Sequence, residues 1–187
     1  MLLRLAAKSD EERNEADLIR SAQEHPEAFG ALYERHVDSV YRYLQLRVGS
    51  AEAADLTQQV FLKALRSLPQ YRTRGLPFLA WLFRIARNLA TDYHRSSMHS
   101  PGELLPDIVD VTRLASPEEA ALQMERLRYL RSLLCDLGAD KRELLAMRFA
   151  GGLTSREIAA VMGKSEAAIK KQLARIIHSL KERYRES

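Results

Sequence analysis

Leu153-Thr154-Ser155-Arg156-Glu157-Ile158-Ala159-Ala160-Val161-Met162-Gly163-Lys164-Ser165-Glu166-Ala167-Ala168-Ile169-Lys170-Lys171 is the stretch from which the fold is read. Thr154 followed by Glu157 is a capping-box pattern that opens a short helix. Gly163 supplies a tight turn, and Ser165 caps a second, basic helix. Ala159, Gly163 and Ile169 stand where a helix-turn-helix needs a small packing residue, a turn and a core anchor. That geometry holds one helix in the major groove of DNA.

At 100° per residue, Ile169, Leu173, Ile176 and Leu180 share an inward face of the second helix. Lys170, Lys171, Ala174, Arg175, His178 and Lys181 share the outward one. The reader is therefore expected to use Lys164, Ser165, Glu166, Lys170, Lys171 and Arg175. Ser165 leaves backbone N–H groups free for a phosphate, and the cations reach phosphates or base edges.

Charge along the chain is uneven. Residues 62–95 carry 7 Lys and Arg against Asp92 alone, and residues 163–185 carry 7 against Glu166 and Glu182. Residues 101–119 between them hold Glu103, Asp107, Asp110, Glu118 and Glu119 against Arg113. Two basic blocks flanking an acidic stretch suggest two contacts with a polyanion.

Upstream, helical spacing recurs over 15–22 and 28–48, with Phe29, Leu32, Tyr33, Val37, Val40, Tyr41 and Leu44 on one stripe. Gly49-Ser50 is expected to end one helix and cap the next, which Pro69 stops. Pro77 opens another, running to about Arg95. Its stripe of Arg84, Asn88, Thr91, Asp92 and Arg95 mixes amide and carboxylate with arginine, as reading bases requires. Tyr71 and Arg72 on the preceding loop suit an unpaired base, whereas Trp81 is expected in the core. Asp55, Gln58 and Gln59 form a polar face suited to a protein contact.

Residues 96–115 have no periodicity and read as a linker. Ser116-Pro117-Glu118-Glu119 and Asp140-Lys141-Arg142-Glu143 repeat the capping-box pattern. The expected fold is all-α: a helical domain over 1–95, a flexible acidic linker over 96–115, and a helix-turn-helix domain over 116–187. Cys135 is the sole cysteine, which fits a reducing, cytoplasmic setting, and it is expected as a small buried apolar residue. The 5 histidines have no metal-ligand spacing, so no metal, cofactor or catalytic residue is expected. No apolar run reaches membrane-spanning length, and the first residues read as no signal.

In this order the blocks closely resemble the extracytoplasmic-function (ECF) group of bacterial RNA polymerase sigma factors, within the sigma-70 family. The resemblance covers about 15–184 and rests on 28–44, 55–65, 78–95 and 137–180. It implies a sigma factor: a protein that binds core RNA polymerase, recognises promoter DNA and assists its opening. Asp55, Gln58, Gln59 and Phe61 match the segment that docks on the clamp of the largest subunit. Tyr71, Arg72, Arg84, Asn88, Asp92 and Arg95 fall in the region that reads the −10 element on the non-template strand. The helix from Lys164 to Arg175 matches the reader of the duplex −35 element. An anti-sigma partner is implied as well. The sequence departs from the family pattern at Gln59, where Glu is frequent, and at Ala168 and Ile177. The rival readings are a stand-alone helix-turn-helix transcriptional regulator and an enzyme acting on nucleic acid.

Overall fold

A computed structural model describes residues 14–73, 76–96 and 117–185, with the side chains of 117–119 excepted. The described residues are helical and hold no strand. The residues are arranged as α1 (14–24), a 3-10 turn Pro26–Ala28, α2 Phe29–Val48, α3 Ser50–Ser67, a 3-10 turn Leu68–Gln70 and α4 Phe78–Ser96. Then come α5 Pro117–Cys135, α6 Ala139–Leu145, a π turn Ala146–Ala150, α7 Ser155–Met162 and α8 Glu166–Arg185. Ser96, expected to open the linker, instead closes α4, because the helix runs one residue further than its last polar-stripe residue; residues 97–115 of the expected linker, and Ser116, lie outside the described residues.

Helices α2, α3 and α4 pack mutually as the core of the N-terminal unit. Leu32, Val40, Leu44, Val60, Phe78 and Leu82 are buried there, as a 3.6-residue stripe requires. Glu15 of α1 ties the unit together. Its Oε2 accepts from the Phe78 amide at 3.3 Å and its Oε1 lies 3.0 Å from His36 Nε2. A carboxylate at the start of α4 satisfies an orphan donor and opposes the helix dipole. Burial pushes the Glu15 carboxyl up, but His36 and the Phe78 amide outweigh it and hold the group below its ordinary range.

Several details depart from expectation. Tyr33, expected on the buried stripe, is exposed, although its ring meets Phe61 edge-on at 4.8 Å. Tyr43, outside that stripe, is fully buried because α2 meets the C-terminal unit on that side. Ser50 does not cap α3: Gly49 precedes the helix without a side-chain cap, and Ser50 Oγ accepts from Gln45 Nε2. The capping box expected at Asp140 is absent. Helix α6 starts at Ala139 after Gly138, and Glu143 turns to α2 and α4 instead. Cys135, expected buried, is exposed at the end of α5, while Leu133 takes the buried place.

The two units share one apolar cluster, in which Phe83 of α4 joins Leu144, Met147 and Ile158. Helix α4 packs on α7, and α2 packs on the π turn.

Candidate nucleic-acid and protein interfaces

The helix-turn-helix forms as its local signals dictate. Thr154 Oγ1 accepts from the Glu157 amide at 3.3 Å, and Glu157 Oε2 accepts from the Thr154 amide at 2.7 Å. This reciprocal box fixes the start of α7. Gly163 ends α7 in the left-handed region at φ 66°, and the Lys164 amide donates back to the Ala159 carbonyl at 2.9 Å. Ser165 Oγ then accepts from the Ala168 amide at 3.2 Å and caps α8. Ile169, Leu173 and Ile176 bury the inner face of α8.

The outer face carries Lys170, Lys171, Ala174, Arg175, His178 and Lys181, all exposed. Lys164 and Ser165 are exposed at the turn and Glu166 is half-buried. Lys170 is engaged by Glu166, whose Oε1 lies 2.6 Å from Nζ. A groove of about 620 Å³ runs beside this face, lined by Lys141, Lys171, Gln172 and Arg175 among others. Lys141 was not anticipated. It sits in the first turn of α6, and only the tertiary fold brings it beside α8.

On α4, Arg84, Asn88, Asp92 and Arg95 form an exposed stripe at helical spacing. Helix α4 buries its opposite face through Phe78, Leu82, Ala86 and Leu89. Arg84 Nη2 donates to the Ala160 carbonyl of α7 at 3.0 Å. Arg72 is exposed and donates to the carbonyls of Pro69 and Tyr71. Tyr71, expected to meet an unpaired base, is instead 8% exposed. Its ring packs on Phe78 and Trp81 with centroids 5.3 and 4.7 Å away, and burial pushes its hydroxyl pKa up. Gln23 of α1 donates to the carbonyls of Leu68 and Tyr71 and so holds the loop. A cleft of about 340 Å³ opens between this loop, Trp81, Arg84 and the α7 residues Ala160 and Val161.

On α3, Asp55 and Gln58 are exposed and Gln59 is half-buried, its Nε2 donating to Asp55 Oδ2 at 2.6 Å. Phe61, expected at a protein contact, is 4% exposed, with its ring against Phe29 and Tyr33. It supports the face from below, and the exposed apolar residue beside that face is Leu62. An aromatic at position 61 fits core or surface equally well by pattern, so only the packed helix tells them apart. No cluster of His, Cys, Asp or Glu among the described residues could hold a metal ion. None of their helices is long and apolar enough to cross a membrane.

Residues 32–99 match the family model for Sigma-70 region 2, and residues 127–180 match that for Sigma-70, region 4. The chain is 40% identical over 182 residues to the ECF RNA polymerase sigma factor BldN of Streptomyces coelicolor, covering 95% of this chain and 68% of that protein. It is 36% identical over 151 residues to the ECF RNA polymerase sigma factor SigD of Mycobacterium tuberculosis, covering 76% and 70% respectively. Among solved structures, it resembles CnrH in complex with the cytosolic domain of CnrY. That match has a TM-score of 0.63 and 25% sequence identity over 90% of this chain and 95% of the other.

Proposed function

The chain belongs to the ECF RNA polymerase sigma factors, and from that membership we infer how its surfaces divide the work of initiation. It is a promoter-recognising subunit of RNA polymerase, and its partners are core polymerase and promoter DNA. The likeness to CnrH, solved with the cytosolic domain of CnrY, supports an anti-sigma partner here too. It works in the cytoplasm, where polymerase is, and it catalyses no reaction itself.

The assignment of surfaces rests on one observation. Two exposed polar faces, on α4 and α8, stand on separate helical units, each backed by a buried apolar stripe. The α8 face, with Lys171 and Arg175 and with Lys141 beside it, contacts duplex DNA at the −35 element. Lys164, Ser165 and Glu166 lie at the start of that helix, where backbone N–H groups favour a phosphate. The α4 stripe of Arg84, Asn88, Asp92 and Arg95, with Arg72, reads the non-template strand at the −10 element. Tyr71 positions that loop from the core, and unpairing is offset by contacts to exposed bases. Asp55, Gln58, Gln59 and Leu62 form the face for the polymerase clamp, with Phe61 buttressing it. The domains then run over 1–95 and 116–187, with 96–115 as the tether.

Run-off transcription with purified core polymerase tests this reading. Adding the protein should produce defined transcripts from a promoter mapped by transcript-start sequencing. A stand-alone regulator would bind the DNA without producing any.

A further inference from the structure

We propose that the apolar groove between α5, the π turn and α8 binds single-stranded RNA, at a site separate from the duplex-reading groove. That the strand is RNA rests on membership of the polymerase sigma factors; that a single strand binds there does not.

Of the residues expected on the outward face of α8, only Lys171 and Arg175 line the groove of about 620 Å³ beside Lys141. His178 and Lys181, further along the helix, line a second groove of about 1040 Å³ instead. The two grooves share no residue. Leu130 and Leu134 of α5, Leu145 of α6, and Ile177 and Leu180 of α8 wall the second one.

Two aromatic rings line this groove without being covered. Phe149 of the π turn is 68% exposed and Tyr184 of α8 is 41% exposed. An ordinary helix would set Phe149 one turn after the buried Leu145, on the same face. The π turn, closed by the Gly151 amide donating to the Ala146 carbonyl at 3.0 Å, adds a residue and carries the ring outward. Tyr184 is braced from behind. Its ring lies 5.8 Å from that of Tyr129, whose hydroxyl donates to the Arg183 carbonyl at 2.8 Å.

Cations edge the same groove. Arg142, Lys181 and Arg185 line it against a single carboxylate, Glu182, and His178 adds a further ring. Exposed aromatic faces set among cations suit a single strand, whose bases stack while its phosphates meet the charges. A duplex covers its base faces internally and leaves such rings nothing to stack on. The unpaired promoter strand is assigned to α4, and the other single strand that a polymerase handles is the RNA it makes.

The free, full-length protein is titrated with a short fluorescent RNA of mixed sequence. Phe149→Ser and Lys181→Gln alter exposed side chains, and helical circular dichroism checks that the fold is kept. Each should weaken RNA binding about ten-fold, within the range expected for losing one stacked base or one charge contact. Phe149→Tyr, which keeps a ring, and Asn88→Ala on α4 should bind RNA as the wild type does. All four should bind promoter duplex unchanged. A wild type that ignores RNA, equal affinities throughout, or an equal loss in Asn88→Ala overturns the site. This arm needs no polymerase, so it stands or falls apart from run-off transcription. A second arm identifies the strand. Phe149→p-benzoylphenylalanine, irradiated in an initiated polymerase complex, should crosslink to the labelled transcript. Crosslinks to promoter DNA or to a polymerase subunit instead overturn the assignment to RNA.

Discussion

At Gly163 the chain turns through a left-handed backbone at φ 66°, and nothing lies within 4 Å of where a Cβ would stand. The demand there is purely conformational, unlike that at Gly151, where the backbone is ordinary and the Phe83 ring takes the space. Gly163→Ala should therefore destabilise the helix-turn-helix by about 1–2 kcal/mol, the cost of a left-handed L-residue. Urea unfolding measures it, and an unchanged midpoint would mean that the turn relaxes elsewhere. This glycine was legible in sequence because a helix stop followed by a Ser cap is a local signal. Glu143 was not. Asp140-Lys141-Arg142-Glu143 satisfies the capping-box pattern, but a buried junction with two arginines competes for the same carboxylate and wins. Cys135 is exposed where the sequence predicts burial for a related reason: an apolar run says that some residues are buried, while the helix end decides which.

Among elements, α4 and α8 are both amphipathic, and the proposed division between them is open to direct test. Lys171→Ala and Arg175→Ala should each weaken binding to duplex promoter DNA. Removing one phosphate contact should also lower the slope of log affinity against log salt by about one. Asn88→Ala should leave duplex binding nearly unchanged and reduce permanganate reactivity of the opened strand in the polymerase complex. Equal losses in both assays for all three variants would dissolve the division. The burial pattern of α8 was readable from its 3.6-residue period. For α3 and the loop before α4, the same period left Phe61 and Tyr71 ambiguous. Both turn out to be core rings, Phe61 against Phe29 and Tyr71 against Phe78. Periodicity identifies a face, whereas the neighbouring helices decide how much of it is covered.

For the molecule as a whole, two titrating groups at element junctions contribute to the acid limb of stability. His94 near the end of α4 bonds the Arg47 carbonyl at the end of α2 through Nε2 at 2.9 Å. Burial and the Arg47 charge push its pKa below the ordinary 6.5, against a smaller opposing pull from that hydrogen bond. The unfolded chain then takes up this proton before the folded one does, so stability falls as pH drops below 6.5. Glu15 is shifted down from 4.5, so its contribution is present above that value and is lost on further acidification. Urea midpoints followed downward from about pH 7 to 5.5 should fall in the wild type and fall less in His94→Gln. Parallel slopes would show that His94 is not the group responsible. The packing of the two units on each other left no trace in local pattern, because residues 43, 83, 143 and 151 are far apart along the chain. The all-α class and the two-unit organisation were legible for the opposite reason, since each follows from signals within a few turns of helix.

The contact between Phe83 and Gly151 also bears on descent. A lineage that enlarges position 151 must shrink position 83 or abandon the contact. Where the contact is kept, the two codons drift as a pair, although position 83 lies in the half of the gene that matches Sigma-70 region 2 and position 151 in the half that matches region 4. The halves of such a gene are then poor candidates for recombination with those of a relative. A chimera joining them would inherit two well-folded units whose surfaces had never been fitted to each other.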